Sequence, residues 1–210
     1  MSADPIDAWL DAHTADLIGW RRAIHAHPEL SRQEVRTTEL VMTELQSAGL
    51  NPRRLPLGTG VVCDLGPDTE PRIGLRADMD ALPITEHTGL PFTSTIDGVS
   101  HSCGHDAHTA ILIGVAKLLV EAGPLPVGVR LIFQAAEEVM PGGALDAIDA
   151  GVTHGLSRIF ALHCDPRLPV GTVGLRDGAL TSAADHIDVQ LRSPGGHTSR
   201  PHLTLSLIHI

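Results

Sequence analysis

A nine-residue segment of this chain concentrates groups that can bind a metal ion. Between Ser100 and His108 it holds one thiol, three imidazoles and one carboxylate, namely Cys103, His101, His105, His108 and Asp106. If the backbone is extended there, Cys103 and His105 lie two residues apart on the same side of the chain and both reach one ion. Such ligands favour zinc, manganese, cobalt or nickel over calcium or magnesium. The alternative is a buried cysteine in a polar loop with scattered surface histidines.

An adjacent acid pair, Glu137-Glu138, follows about thirty residues later, after the apolar segment Val127–Ala135. This segment is typical of a strand buried on both faces of a sheet, and its C-terminal edge is where open α/β sheets bind ligands. Neighbouring side chains diverge, so one carboxylate can bind metal while the other faces the water to be activated. Two exposed acids at a helix start are the alternative interpretation.

Two more sets of polar residues stand at predicted strand ends. Asp78 and Asp80 follow the strand Ile73–Ala77, and His163 follows the strand Ile159–Leu162. Alternation puts Asp78 and Asp80 on one side, where they could ligate metal or hold a ligand imidazole in place. The alternative for this pair is an ordinary solvated loop, in which aspartate is common.

The elements that must position these residues alternate between helix and strand. Apolar spacing and terminal Gly or Pro residues predict helices over Asp7–Ala26, Gln33–Ala48, Asp106–Glu121 and Ala144–Ala150, with a further strand at Val61–Leu65. This order predicts an α/β sandwich.

Composition narrows the classes of protein that the chain fits. The 210 residues are 42% hydrophobic, enough for a sizeable core, and no apolar run approaches the length of a membrane span. A net charge of -10 without a basic run argues against nucleic acid and membrane surfaces as partners. The odd set Cys63, Cys103 and Cys164 indicates reduced thiols, and the acidic N-terminus lacks a secretory pattern, so we expect a cytoplasmic location.

Six motifs together resemble the M20 metallopeptidase family, in its amidohydrolase branch of N-acyl-amino-acid and hippurate hydrolases. They are RAIHAHPELS at 22–31, RADMDALPI at 76–84, CGHDAHT at 103–109, AEE at 136–138 with GGA at 142–144, ALH at 161–163 and GGHTSRPH at 195–202. The resemblance covers about residues 24–202. It implies a mixed-sheet α/β sandwich catalytic domain, similar to the phosphorylase/hydrolase fold, followed by a smaller α+β lid and dimerisation domain.

The resemblance also implies roles for individual residues. Two divalent metal ions (Mn, Zn, Co or Ni) would be bound by Cys103, His105, Glu138 and His163, with Glu137 as the general base. His197 would lie in the lid domain and reach the active site of the partner subunit, where it helps hold the substrate carbonyl oxygen. Asp78, Asp80 and His108 would be alternative ligands or would hold ligands in place.

The implied substrates are N-acyl amino acids or related small amide conjugates, and the implied assembly is a homodimer formed through the lid. One alternative is an M20 dipeptidase or exopeptidase. The other, for a chain of this length, is a non-catalytic metal-binding fragment.

The end of the chain departs from the family. Relatives continue past His202 and supply one more histidine ligand, so we expect an incomplete catalytic domain over 1–183 and a truncated lid over 184–204. Residues 205–210 match the translation of a transposase end sequence used as a sequencing adapter, and we expect them to be a non-native tail. The chain alone is accordingly expected to be inactive.

Overall fold

The computed structural model describes residues 4–180, 187–190, 192, 196–197 and 200. Within them the chain forms four helices and five strands, in the order α1 (Pro5–Ala26), α2 (Val35–Ser47), β1 (Arg53–Arg54), β2 (Val61–Leu65), β3 (Arg72–Asp78), α3 (His105–Glu121), β4 (Val129–Gln134), α4 (Gly143–Asp149) and β5 (Leu156–Ala161). The predicted helices and strands are all present, and the two-residue strand β1 is the addition.

The five strands form one mixed sheet in the order β1-β2-β4-β3-β5. Strand β3 lies parallel to β4 on one side and to β5 on the other, while β2 runs antiparallel to β4. The chain leaves β3 through α3 to reach β4, and then leaves β4 through α4 to reach β5 on the far side of β3. Strand order therefore reverses at β3, the arrangement that opens a crevice at the carboxyl edge of such sheets.

Side-chain alternation along the strands builds a core on each face of the sheet. Leu131 and Phe133 of β4 pack with residues of α2 and α3, whereas Ile132 packs with Ala147 of α4 on the opposite face. Every residue of β4 is buried, as expected for a central strand covered on both sides. The mixed α/β sandwich predicted from the sequence is confirmed.

The segment before α3 is not extended, so the condition of strand alternation does not hold, although Cys103 and His105 still lie within reach of one ion. Cys103 lies in a turn, Gly104 adopts φ 90° and ψ 14°, and His105 is already the first residue of α3. Glycine suits this left-handed conformation because it has no Cβ. The turn, rather than strand alternation, sets the direction of Cys103 relative to His105.

The chain divides into two compact units, residues 1–169 and 170–210. The predicted domain boundary near residue 183 and the predicted tail 205–210 lie outside the described residues, and the domain assignment stays a prediction. Across the described part of the chain, no helix combines the length and the hydropathy required of a membrane span.

Candidate metal centre

The polar residues predicted from the sequence meet at one edge of the sheet. Asp78 is the last residue of β3, the acid pair follows β4, and His163 follows β5. Helix α3 starts at the same edge, because it connects the carboxyl end of β3 to the start of the parallel strand β4. Three strand ends and one helix start thus bring the candidate ligands together.

Cys103, His105 and His163 form one group whose candidate ligand atoms all lie within 4.8 Å of one another. The Cys103 Sγ atom is 3.4 Å from His163 Nε2. His105 is buried, Cys103 is half-buried and His163 is exposed, so the group lies where the protein interior meets solvent. One thiol and two imidazoles are typical ligands for zinc and neighbouring transition metals.

His105 also belongs to a second group, formed with Glu137 and Glu138. Its Nε2 atom lies 3.6 Å from Glu138 Oε1 and 3.6 Å from Asp78 Oδ2. All four predicted ligands, Cys103, His105, Glu138 and His163, are therefore members of groups that share His105.

The unpaired atoms of this centre fit a bound cation. Both ring nitrogens of His105 and the Oε1 atom of Glu138 are buried without a hydrogen-bond partner. Burial, with the carboxylates of Glu138 and Asp78 nearby, raises the pKa of the Cys103 thiol to about 12. A divalent ion would offset the negative charge of these acids, stabilise the thiolate and take Glu138 Oε1 and one ring nitrogen of His105 as ligands.

Asp80 contacts both the backbone of the acid pair and the His105 ring. Its Oδ1 atom accepts the backbone N–H of Glu137 at 3.0 Å, and its Oδ2 atom accepts that of Glu138 at 3.0 Å and the Ser31 hydroxyl at 2.6 Å. Oδ1 also lies 3.4 Å from His105 Nδ1. Burial by itself raises the pKa of Asp80, but His105, Ser31 and the two amides together bring it below the ordinary value. Asp80 stays an anion and fixes the ligand-bearing backbone.

The contacts of His108 determine its tautomer. The backbone N–H of Cys164 donates to His108 Nε2 at 2.8 Å, so Nε2 is an acceptor and the ring proton is on Nδ1. That proton is donated to Asp78 Oδ1 at 2.6 Å. Both ring nitrogens are engaged in tying β3 to the segment after β5, which supports a holding role rather than metal ligation.

Asp78 is enclosed by cations and donors. Arg76 Nη1 lies 2.6 Å from Asp78 Oδ2, on the oxygen that also faces His105. Burial raises the pKa of Asp78, yet the hydrogen bond from His108 and the charge of Arg76 leave it below the ordinary value. The carboxylate is ionised, with Arg76 compensating part of its charge.

Glu137 differs from Glu138 in exposure. The Glu137 side chain is open to solvent, whereas that of Glu138 is 20% exposed and directed at His105. Partial burial and the charge of Glu138 raise the pKa of Glu137. A raised pKa and access to solvent are what a carboxylate needs to take a proton from water near neutral pH.

His197 lies in the second unit, and its backbone carbonyl accepts the N–H of Arg200 at 2.8 Å. Its role in catalysis stays a prediction.

Sequence reasoning missed three residues that hold the centre, Ser31, Glu34 and Arg76. Arg76 had a signal, because it stands two residues before Asp78 on the same strand and so faces the same side. Ser31 ends the motif at 22–31, but neither it nor Glu34 had a signal for its contact, since their partners Asp80 and Ala136 lie 49 and 102 residues away in sequence.

Comparison with known families agrees with the geometry of the centre. Residues 74–207, more than half of the chain, match the family described as peptidase family M20/M25/M40. The chain belongs to the M20 peptidase family. The resemblance inferred from the motifs is confirmed, and the centre described above is made of residues from the same motifs.

Two curated relatives are similar to this chain over most of its length. The chain is 45% identical over 195 residues to the N-acetylcysteine deacetylase of Bacillus subtilis, covering 91% of this chain and 51% of that protein. It is 55% identical over 204 residues to a putative glutamate--cysteine ligase 2-3 of Rhodococcus jostii, covering 96% of this chain but 26% of that protein. The chain thus spans about half or less of these relatives.

A solved M20 structure has the same fold. The YXEP protein of Bacillus subtilis, described as a dinuclear metal binding peptidase from the M20 family, is 47% identical, with a TM-score of 0.76. The match covers 80% of this chain and 47% of that one. The chain is therefore similar to about half of a protein described as binding two metals.

Proposed function

We propose that the protein containing this chain is a metal-dependent amidohydrolase that cleaves the amide bond of N-acyl amino acids or related conjugates. The observation that carries the proposal is the convergence of Cys103, His105, Glu138 and His163 beside the solvent-facing carboxylate of Glu137. The similarity to an N-acetylcysteine deacetylase supports the substrate class, since that name implies cleavage of an N-acyl amide.

Cys103, His105, Glu138 and His163 would hold two divalent ions, with manganese, zinc, cobalt and nickel all compatible with this set of ligands. When bound, such ions supply polarisation of the amide carbonyl and a lowered pKa for the attacking water. Asp80 and His108 would keep the ligands in position through the hydrogen bonds described above.

Glu137 would transfer the proton. Its carboxylate takes a proton from the attacking water as the new C–O bond forms at the acyl carbon. It then gives the proton to the amine nitrogen as the C–N bond breaks, which yields a carboxylic acid and a free amino acid. His197 of a partner subunit would donate to the carbonyl oxygen during the attack, a role that rests on the family resemblance.

The test is Glu137→Gln in the whole protein that contains this chain. Glutamine keeps the size of the side chain but cannot shuttle the proton, so hydrolysis of N-acetylcysteine should fall by about 10² to 10⁴-fold. Metal content, measured by atomic emission, should stay at the wild-type level. Near wild-type turnover in the metal-loaded variant would overturn the role of Glu137.

The substrate class is tested on the wild-type protein with N-acetylcysteine and with a free dipeptide of the same C-terminal residue. We expect a higher kcat/KM for the acylated amino acid. Preference for the dipeptide would make the protein a dipeptidase instead.

A further inference from the structure

A buried carboxyl group that belongs to none of the motifs carrying the predicted ligands contacts the turn at residues 136–138. This turn bears Glu137 and Glu138 and is called the acid-pair turn below. Glu34, immediately before α2, is fully buried, and its Oε1 atom accepts the backbone N–H of Ala136 at 2.7 Å. Its other oxygen, Oε2, is buried without a hydrogen-bond partner. Burial raises the pKa of the carboxyl above its ordinary value, although backbone amides and the Thr59 hydroxyl act against that rise. Such a group is costly to bury, so its one strong hydrogen bond requires an explanation.

The residue that Glu34 contacts has a disfavoured backbone. Ala136 adopts φ 54°, in the left-handed region that L-residues other than glycine rarely occupy. Its carbonyl accepts the N–H of Gly143 at 2.7 Å, so the turn is held from both sides. A residue in this conformation persists only where the surroundings over-determine it.

Three successive N–H groups of this turn are accepted by two buried carboxyl side chains. The amide of Ala136 goes to Glu34, and the amides of Glu137 and Glu138 go to Asp80. These bonds determine the direction in which the two acids leave the backbone. From this turn Glu138 Oε1 comes within 3.6 Å of His105 Nε2.

We propose that Glu34 is a positioning residue of the active site, which holds Ala136 in its left-handed conformation and so directs Glu137 and Glu138 toward His105. The proposal rests on the proposed function for the roles of the two acids. Glu34 acts through the backbone of Ala136 and has no contact with substrate or metal.

The decisive comparison is Glu34→Gln against Glu34→Asp. Glutamine keeps an acceptor oxygen at the same reach, whereas aspartate keeps the carboxyl group but is one methylene shorter. If Glu34 acts as the acceptor for Ala136, glutamine should preserve the turn and aspartate should not. A role based on charge predicts the reverse order.

The first measurement needs no metal. Hydrogen exchange of the peptide covering residues 134–143 should be faster in Glu34→Asp than in wild type and unchanged in Glu34→Gln, using the 210-residue chain. Glu29→Asp is the matched control, because Glu29 accepts the amides of Arg36 and Thr37 at the start of α2 and does not touch the turn. It should increase exchange at the start of α2 alone.

The second measurement is the affinity for Co²⁺ by titration calorimetry, with the thiolate-to-cobalt absorption band as the signature of Cys103. Glu34→Asp should bind Co²⁺ about 10- to 100-fold more weakly, as is typical when a residue that supports a ligand is lost. Glu34→Gln and Glu29→Asp should bind like wild type. Wild-type protein without the thiolate band would contradict the proposed function, and the exchange data would still decide the role of Glu34.

Unchanged exchange at residues 134–143 in Glu34→Asp, or a larger effect of Glu34→Gln, would overturn the proposal. If Glu34→Asp does not fold, the same change is made in an Ala136→Gly background, where the left-handed φ carries no side-chain penalty. There it should leave the Co²⁺ affinity close to that of Ala136→Gly alone, and a large further loss would also overturn the proposal.

Discussion

The Cys103 thiol has the opposite surroundings from those of a typical reactive cysteine. Reactive thiols stand near cations or helix N-termini, which lower their pKa, whereas burial and the neighbouring carboxylates raise the pKa of Cys103 even though it directly precedes the N-terminus of α3. The 3.4 Å contact with His163 does not reverse this effect. A bound cation would therefore be needed to hold Cys103 as a thiolate, and the state of the thiol would then report on metal occupancy.

We predict that metal binding changes the labelling of Cys103 by thiol reagents. The experiment uses a Cys164→Ser chain, because Cys164 is exposed, while the buried Cys63 is shielded from the reagent and serves as the reference for the half-buried Cys103. Adding Co²⁺ or Zn²⁺ should slow labelling of Cys103 severalfold, and Cys103→Ala should lower the bound metal measured by atomic emission. Identical labelling rates with and without metal would show that Cys103 is a structural residue and not a metal ligand.

At the scale of elements, the close approach of α4 to the segment after β4 keeps the acid-pair turn compact. A Cβ atom at Gly143 would lie 2.0 Å from the backbone oxygen of Ala135, which cannot move as a flexible side chain could. We predict that Gly143→Ala lowers the free energy of unfolding by about 1–3 kcal/mol, as overpacking does.

The matched control is Gly19→Ala in α1, where nothing lies within 4 Å of the added Cβ. It should raise stability by about 0.5–1 kcal/mol, because alanine favours the helix interior. Urea unfolding of both variants measures the difference. Equal stability of the two would contradict the tight packing at Gly143.

The contact between β2 and β4 gives a pH-dependent prediction. Arg130 donates to both carboxylate oxygens of Asp64, at 2.6 and 2.8 Å, and this hydrogen bonding lowers the pKa of Asp64. A lowered folded-state pKa stabilises the fold above the unfolded value of about 3.9 and loses that stabilisation as the pH falls toward the folded value.

Asp64→Asn should therefore reduce stability by about 1 kcal/mol at pH 7, and its difference from wild type should shrink as the pH falls below about 4. Thermal melts across this range measure the effect. The control Asp68→Asn removes a fully exposed partner of Arg72 and should change little at any pH. A difference from wild type that grows at acid pH would exclude this assignment for Asp64.

Strand periodicity and strand ends were enough to predict most of the elements and the edge where the ligands meet. An unbroken apolar run identifies β4, and apolar spacing identifies α3, because both are buried along most of their length. The turn at Cys103-Gly104-His105 was not predicted, because left-handed turns at glycine have no periodic signal. The contact of Glu34 with Ala136 could not be predicted either. It depends on how α2 packs, and a local sequence pattern does not determine that packing.

For the molecule as a whole, the centre joins three strands and a helix, so metal should stabilise the entire first unit. A ligand present at about 100 times its Kd stabilises by about 2.7 kcal/mol, which corresponds to roughly 5–10 °C in Tm for a chain of this size. We predict a fall of this order when metal is removed with a chelator, measured by calorimetry. In His105→Ala, which lacks the shared ligand, chelation should leave the Tm unchanged. Wild-type protein with the same Tm before and after chelation would argue against a bound metal at this site.

The parallel arrangement of β3, β4 and β5 places the candidate ligands of the first unit at the carboxyl edge of the sheet, a strand length away from its amino edge. The connection 66–71, which enters β3 at that amino edge, is mostly exposed. A reporter peptide or an immobilisation tag inserted there would be separated from the metal centre by the full length of a strand. Protein engineers therefore have an attachment point that leaves the ligands undisturbed.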